Sequence, residues 1–150
     1  MPKVLIVYYS KTGNTRKMAE AIAQGAKSMQ GVEVTLRECT TATNDDLLAA
    51  DCIVLGSPTY FRLVAWPLKK FIDESVTIYR RLRGKKGGMF TSTGTADTGE
   101  VCLQSLGDML DEHGIDVVSD GILVVNEPKP KDLEACRSYG KELAMSVRKS

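Results

Sequence analysis

Apolar positions along this chain follow two patterns, unbroken runs and helical repeats, and the two patterns alternate. Residues 4–7 form the first unbroken run, continued by two tyrosines, which is typical of a strand buried on both faces. Met18, Ala19 and Ile22 then recur at the spacing of one helix face. The residues between are small or polar: Ser10, Lys11, Thr12, Gly13, Asn14 and Thr15. The pattern predicts a strand, a hydroxyl-rich turn and a helix.

The rest of the chain repeats this order. Residues 32–36 alternate between apolar and polar side chains, which predicts a strand at a sheet edge, whereas residues 52–55 are continuously apolar and predict a central strand. Further strands are predicted at 87–92 and at 115–125, the last with a break at Ser119 and Asp120. Helices are predicted over 43–48, 67–79, 98–113 and 133–147, and Gly31 is predicted to cap the first helix.

Strands that alternate with helices predict an α/β fold, in which helices cover both faces of a parallel sheet. The edge strand beside two central strands predicts a three-layer sandwich with five strands in the order 2-1-3-4-5. Its 150 residues, 43% of them hydrophobic, suit one domain spanning 1–150. In a sheet of this order, ligands bind at the carboxyl edge where the strand order reverses.

Three loops meet at that edge in the predicted sheet. The first is the hydroxyl-rich turn, which suits a phosphate because a helix N-terminus directs amides and a positive dipole end at it. The second carries adjacent aromatic residues, and the third is small enough for its backbone to approach a flat ring. These loops are Pro58, Thr59, Tyr60 and Phe61, and Ser92, Thr93, Gly94, Thr95, Ala96 and Asp97. Together they predict a ligand with a phosphate at one end and an aromatic ring at the other.

The first loop also allows a simpler interpretation, since Ser, Thr and Asn are common helix caps. One hydroxyl would suffice for capping, whereas Ser10, Thr12 and Thr15 surround Gly13, which lets the backbone approach a ligand. We therefore favour a phosphate site. Other phosphate sites lack their motifs here: GxxxxGK[ST] and GxGxxG are absent from the sequence, no cysteine has an arginine six positions later, and no acidic pair follows the first strand.

Charge and cysteine content narrow the choice of partner and compartment. The net charge of +1 argues against nucleic acid, and no apolar run is long enough for membrane insertion. The four cysteines form no CxxC pair and are interpreted as reduced and buried, so no metal is expected. The first residues run into a strand, so we expect no signal peptide and a cytoplasmic location.

One run of basic residues is interpreted as a solvated helix end, with a contact patch for an acidic partner as the alternative. It comprises Arg80, Arg81, Arg83, Lys85 and Lys86.

The first loop and its flanks resemble the flavodoxin family. That family's signature has apolar and aromatic strand residues, a hydroxyl, a small residue and a threonine, then an alanine and an aliphatic residue in the helix. These places are taken here by Ile6, Val7, Tyr8, Ser10, Gly13, Thr15, Ala19 and Ile22, and residues 12–15 read TGNT, like the core of the family's phosphate loop. Residues 56–61 and 92–95 are similar to those of flavodoxin-like NAD(P)H:quinone oxidoreductases of the Trp-repressor-binding-protein type.

The resemblance implies that FMN is the cofactor. It implies that residues 10–15 bind the phosphate, that residues 58–61 contact the isoalloxazine ring and that residues 92–97 line its pyrimidine edge. In the quinone-reductase branch a histidine before a glycine reaches the flavin of a neighbouring subunit, and His113 matches it; a helix C-terminal histidine favoured by the dipole is the alternative. Trp66 is interpreted as a core or helix-start residue, with shielding of the ring as the alternative.

Several departures from the family pattern bear on function. Classical flavodoxins are strongly acidic, whereas this chain is near neutral. The second loop has no glycine between Thr59 and Phe61, which makes a backbone flip toward a flavin harder. The third loop has no aromatic residue over residues 93–97, and an open flavin face would suit a second planar substrate. Against the quinone-reductase branch, 150 residues is the length of a minimal flavodoxin and leaves no room for that branch's tetramer-building segment.

These features leave three hypotheses. The first is an FMN-binding carrier that moves electrons between redox protein partners. The second is an enzyme, an NAD(P)H-dependent quinone oxidoreductase that takes a small planar acceptor and forms a homo-oligomer. The third is a non-redox module that keeps the fold. No residue is an evident general acid or base, so no catalytic residue is assigned.

Overall fold

The computed structural model describes residues 1–148. Its strands are β1 Lys3–Tyr8, β2 Glu33–Glu38, β3 Cys52–Tyr60, β4 Leu63–Val64, β5 Lys86–Thr93, β6 Asp116–Val117 and β7 Ile122–Val125. Its helices are α1 Asn14–Lys27, α2 Asn44–Ala49, α3 Trp66–Glu74, α4 Ala96–Glu112 and α5 Pro130–Val147, and a 3₁₀ turn, Ser75–Ile78, follows α3. No helix within residues 1–148 is long and apolar enough to span a membrane.

The strands form one sheet in the order β2-β1-β3-β5-β6, with β7 beside β5 further along. All of these pairings are parallel. The predicted order 2-1-3-4-5 is therefore confirmed, with β6 and β7 as the two pieces of the fifth strand. The alternating strand β2 lies at the edge as predicted, because only one of its faces is covered. One addition was not predicted: β4 pairs antiparallel with the end of β3.

Helices pack on both faces of the sheet and bury a core on each side. On one face Ile6 packs with Ile22 of α1 and Leu143 of α5. On the other face Leu55 packs in a cluster that includes Leu106 of α4. All of these side chains are almost completely buried. The three-layer α/β sandwich is confirmed, and its layers place the start of α1 directly after the end of β1.

Helix α1 is held against α5 by two glycines. A Cβ atom on Gly25 would overlap the carbonyl group of Arg137, and one on Gly140 would overlap the carbonyl oxygen of Ile22. The two backbones therefore approach more closely than any larger residue would allow. This contact keeps α1 fixed over the sheet, and with it the position of the helix N-terminus.

Several predicted helix bounds are wrong, and tertiary contacts account for the largest difference. The helix predicted over 67–79 ends at Glu74, and the 3₁₀ turn replaces its last part. Buried Ser75 causes this change, because its hydroxyl donates to the carbonyl of Ile72 and pairs with a distant histidine. Helix α1 ends at Lys27, before Gly31, and α4 begins at Ala96 instead of Thr98, since extended Thr95 precedes its first turn.

The break in the fifth strand has a specific cause in α5. The Tyr139 hydroxyl accepts a hydrogen bond from the Met89 amide at 3.1 Å and another from the Ser119 hydroxyl at 2.8 Å. The amide of Met89 in β5 is therefore bonded to a side chain at the level where β6 has ended and β7 has not begun. The break predicted at Ser119 and Asp120 is confirmed.

Candidate functional site

The three predicted loops lie together at the carboxyl edge of the sheet. The first follows β1, the second is the turn between β3 and β4, and the third follows β5. The Tyr9 amide donates to the Gly56 carbonyl at 3.1 Å, which ties the first loop to β3. The side chains of Thr15 and Ser92 join the first loop to β5. Segments far apart in the sequence are thus linked by direct hydrogen bonds.

Gly13 of the first loop has a backbone conformation that glycine adopts readily because it has no side chain. Gly13 precedes α1 with a φ of 104°, in the left-handed region. The Ser10 hydroxyl accepts from the amides of Gly13 and Arg16, both at 3.2 Å, so this one hydroxyl performs the capping role. A Cβ atom on Gly13 would meet no atom of the described residues 1–148 within 4 Å, so there is open space beside this backbone.

The other polar groups of this loop do not take part in capping α1. The first hydrogen bond of α1 runs from the Lys17 amide to the Gly13 carbonyl at 3.0 Å, so the amides of Asn14 and Thr15 lie ahead of the helical pattern. Lys11 and Thr12 are exposed, whereas Thr15 is buried against Ser92. Ser10 therefore caps the helix, and the amides of Asn14 and Thr15 and the Thr12 side chain remain available to an anion.

The second segment differs from its predicted form, because it is a strand and a tight hairpin. β3 continues through Tyr60, and Phe61 and Arg62 make the turn with φ values of 50° and 72°. A two-residue hairpin turn with positive φ at both positions normally takes Asn-Gly, and a larger residue in this region costs about 1–2 kcal/mol. The Ser57 hydroxyl accepts from the Ala65 amide at 2.9 Å and secures the returning chain. Such strain is often found at functional sites.

The hairpin presents apolar side chains to solvent. Phe61 is 99% exposed, and Leu63 and Tyr60 are also exposed. Trp66 is the first residue of α3 and is 74% exposed, so its interpretation as a helix-start residue is confirmed and its interpretation as a core residue is wrong. Partial burial raises the pKa of the Tyr60 hydroxyl above its ordinary value.

The third segment begins inside β5 and ends in α4. Ser92 and Thr93 are buried strand residues, and the Thr93 hydroxyl donates to the Thr95 carbonyl at 2.7 Å. Gly94 and the next three residues are exposed. The neighbouring Thr95 hydroxyl and Thr98 amide hold the pKa of Asp97 below its usual value, and the charge of Arg62 acts in the same direction.

His113 does not join these loops. It follows the last residue of α4, at the amino edge of the sheet, where its Nε2 lies 2.7 Å from the Ser75 hydroxyl. Its Nδ1 is buried without a hydrogen-bond partner within residues 1–148. Burial lowers the pKa of His113, and the charge of Glu112 opposes that effect only in part. Within one chain, His113 is therefore remote from the other predicted site residues.

The basic run also lies at the amino edge. Lys85 Nζ donates to the Leu48 carbonyl at 3.0 Å, and Lys86 pairs with Asp116 at 2.7 Å. The Arg80 guanidinium lies 5.7 Å from the centre of the Tyr79 ring. Several of these cations thus have structural partners.

The residues at the carboxyl edge fit a flavin mononucleotide. Two amides ahead of the helical pattern, an exposed threonine and a buried hydroxyl pair are donors suited to a phosphate. Aromatic Tyr60 and Phe61 on one side and an exposed small loop on the other suit a flat ring. Sequence reasoning did not single out Arg62, which lies in the hairpin turn and whose charge acts on Asp97. It also did not single out Thr91, whose buried hydroxyl bonds to Thr59 and Ser57. Neither residue carries a local sequence signal.

The chain is similar to known proteins in sequence and in structure. A sequence model described as a flavodoxin domain matches residues 5–114. A flavodoxin from Aquifex aeolicus (strain VF5) is 40% identical, covering 96% of this chain and 86% of its own. A solved flavodoxin from the domain Archaea is 33% identical with a TM-score of 0.87, covering 97% of this chain and 98% of its own. A solved flavodoxin, WrbA-like protein from Agrobacterium tumefaciens is 31% identical with a TM-score of 0.87, covering 97% of each chain.

Proposed function

Because the chain belongs to the flavodoxin family, we propose that it binds FMN and carries electrons between redox protein partners. The observation that carries this proposal is the donor set around Gly13. That glycine has open space before it and precedes two amides outside the helical pattern. A phosphate supplies the acceptors that these groups lack.

Each part of the site has a role in this proposal. Bound FMN supplies one- and two-electron chemistry, and the protein binds and orients it. The amides of Asn14 and Thr15, with the Thr12 hydroxyl, hold the phosphate. Tyr60 on the hairpin and the backbone of the third loop hold the ring from two sides. The negative charge of Asp97, whose pKa lies below its usual value, would disfavour additional negative charge on a ring bound beside it.

The surface around the site suits brief contact with a partner. Phe61, Leu63 and Trp66 expose apolar surface on the hairpin and the start of α3. Electrons need to pass only between the ring and a partner that rests on this edge. The proposal therefore places the partner at the carboxyl edge and not at the basic run.

A second candidate function is NAD(P)H-dependent reduction of a quinone. It is favoured by the exposed third loop, in which residues 94–97 carry no aromatic side chain. Similarity to the WrbA-like protein also supports it. Since His113 lies at the opposite edge of its own chain, its use at a flavin would require a neighbouring copy. This candidate therefore predicts a homo-oligomer, and the carrier does not require one.

One experiment separates the two functions. The protein is reconstituted with FMN, and its visible spectrum is recorded without oxygen while NADH and then NADPH are added. We expect the flavin band to persist until a reductase protein is supplied. Rapid bleaching by either nicotinamide would overturn the carrier and favour the quinone reductase. Failure to bind FMN would overturn both.

A further inference from the structure

Two pairs of hydrogen-bonded hydroxyls lie near the carboxyl edge. They differ in how many of their protons have an acceptor within the protein. In the first, Thr59 Oγ1 lies 2.7 Å from Thr91 Oγ1, and Thr91 Oγ1 also lies 2.7 Å from the carbonyl oxygen of Ser57. A carbonyl oxygen only accepts, so Thr91 donates to Ser57 and Thr59 donates to Thr91. Both protons of this pair are committed within the protein.

The second pair joins Thr15 to Ser92, whose hydroxyl oxygens are 2.7 Å apart. Thr15 is 1% exposed and Ser92 is 6% exposed. Within residues 1–148 these oxygens bond only to each other, so one proton lies between them and the other has no acceptor. Buried polar groups normally have partners, and an unused buried donor is therefore suited to an acceptor from outside the chain.

The position of the pair decides which oxygen carries the free proton when an anion binds. Thr15 is the second residue of α1, in the turn that holds the positive end of the helix dipole. Ser92 lies in β5, a strand of the sheet, and not at a helix N-terminus. An anion at the start of α1 attracts the Thr15 proton, and Thr15 Oγ1 must then accept from Ser92.

We propose that Ser92 is a positioning residue for the phosphate. It donates to Thr15 Oγ1 and so turns the Thr15 proton toward the bound phosphate. This inference rests on the proposed function, in which FMN supplies that phosphate. It assigns Ser92 to the phosphate end of the ligand, although the family resemblance implied the pyrimidine edge of the ring. It also explains why two residues that are 77 positions apart share a buried bond.

A comparison of two ligands tests which end of the ligand Ser92 serves. Dissociation constants of FMN and riboflavin, which lacks the phosphate, are measured by flavin fluorescence for the wild type and Ser92→Ala. We expect FMN affinity to fall about tenfold, since a hydrogen bond to a charged group loses its orientation. Riboflavin affinity should stay within about twofold of the wild type. Equal losses for both ligands, or no loss for FMN, would overturn the proposal.

A double-mutant cycle tests whether Ser92 acts through Thr15. In a Thr15→Ala background, Ser92→Ala should reduce FMN affinity by less than about twofold more, because its only route to the phosphate is gone. Additive losses would mean that Ser92 contacts the ligand itself, and the proposal would fall. This cycle uses FMN alone, so it decides the question even if riboflavin binds too weakly to measure.

Control variants separate positioning from general damage. Thr93→Val removes a hydroxyl bonded within the third loop, and it should change FMN and riboflavin affinities by the same factor. If Ser92→Ala does not fold, as judged by urea unfolding of the FMN-free protein, Ser92→Cys keeps a weak donor and should show the same FMN-selective loss at smaller size. A wild type that binds neither flavin would overturn the proposed function, whereas normal FMN binding with a failed cycle would overturn only the role of Ser92.

Discussion

The two edges of the sheet differ in the groups that they present to a negatively charged ligand. The amino edge carries the basic run from Arg80 to Lys86, yet its cations are exposed or engaged with neighbours such as Asp116 and Tyr79. The carboxyl edge carries charges of both signs, among them Lys11, Arg62 and Asp97. It also has the amides at the start of α1 and a buried hydroxyl proton that has no acceptor within residues 1–148. In our proposal the anion is therefore bound by oriented donors and not by a cluster of cations. Variants at both edges test that contrast.

The largest expected effect comes from removing hydroxyls at the carboxyl edge. Thr12→Ala and Thr15→Ala should each weaken FMN binding by about 1–3 kcal/mol, because each removes a donor to a charged group. Isothermal titration of the double variant with FMN checks this expectation. Riboflavin serves as the control ligand, and its affinity should hardly change. Unchanged FMN affinity in the double variant would mean that this loop does not bind the phosphate.

Two glycines with positive φ, one at each edge, provide the next test. Gly13 and Gly84 have φ values of 104° and 87°, and a Cβ on either would meet no atom of residues 1–148 within 4 Å. Alanine at either position should lower the free energy of unfolding by about 1–2 kcal/mol. Only Gly13→Ala should also weaken FMN binding, because relieving its strain moves the amides of the first loop. Equal FMN affinities in the two variants would contradict the role of this backbone.

A smaller effect should appear at the amino edge as pH is lowered. Burial lowers the pKa of His113 from its ordinary 6.5, so below that pH the unfolded chain binds a proton that the folded chain resists. The free energy of unfolding should therefore be highest above pH 6.5 and fall as pH drops through and below it. Urea unfolding at several pH values checks this, and His113→Gln should flatten the dependence. If the free energy of unfolding fell equally steeply with pH in that variant, groups other than His113 would account for the loss of stability.

The smallest expected effect comes from the arginines of the basic run. Replacing Arg81 and Arg83 by glutamine should leave FMN affinity within about twofold of the wild type, as is usual for surface changes remote from a site. Titrations at low and high salt should give the same dependence on salt for both proteins. A clear loss of affinity in the variant would mean that net charge contributes to the anion site, and the contrast between the edges would weaken.

Much of the site could be predicted because its signals are local. The turn from Ser10 to Thr15 lies between a strand and a helix whose periods are visible within a short window. Its phosphate-loop pattern led to the flavodoxin family, which the comparisons confirm. The strand order followed from whether each strand was apolar on one face or on both. By contrast, the extension of β3 through Tyr60 was missed, because Pro58 and Thr59 carry no apolar pattern.

The sequence by itself determined the order of elements, the strand order and the place of the candidate site, since each depends on hydrophobic period and on turn residues close in the chain. Only the tertiary structure decided which distant groups meet. The Tyr139 hydroxyl of α5 accepts from the Met89 amide of β5, Ser92 pairs with Thr15, and His113 lies at the edge opposite the loops. The physical reason is that such hydrogen bonds depend on the packing of helices against the sheet, and no local pattern records them.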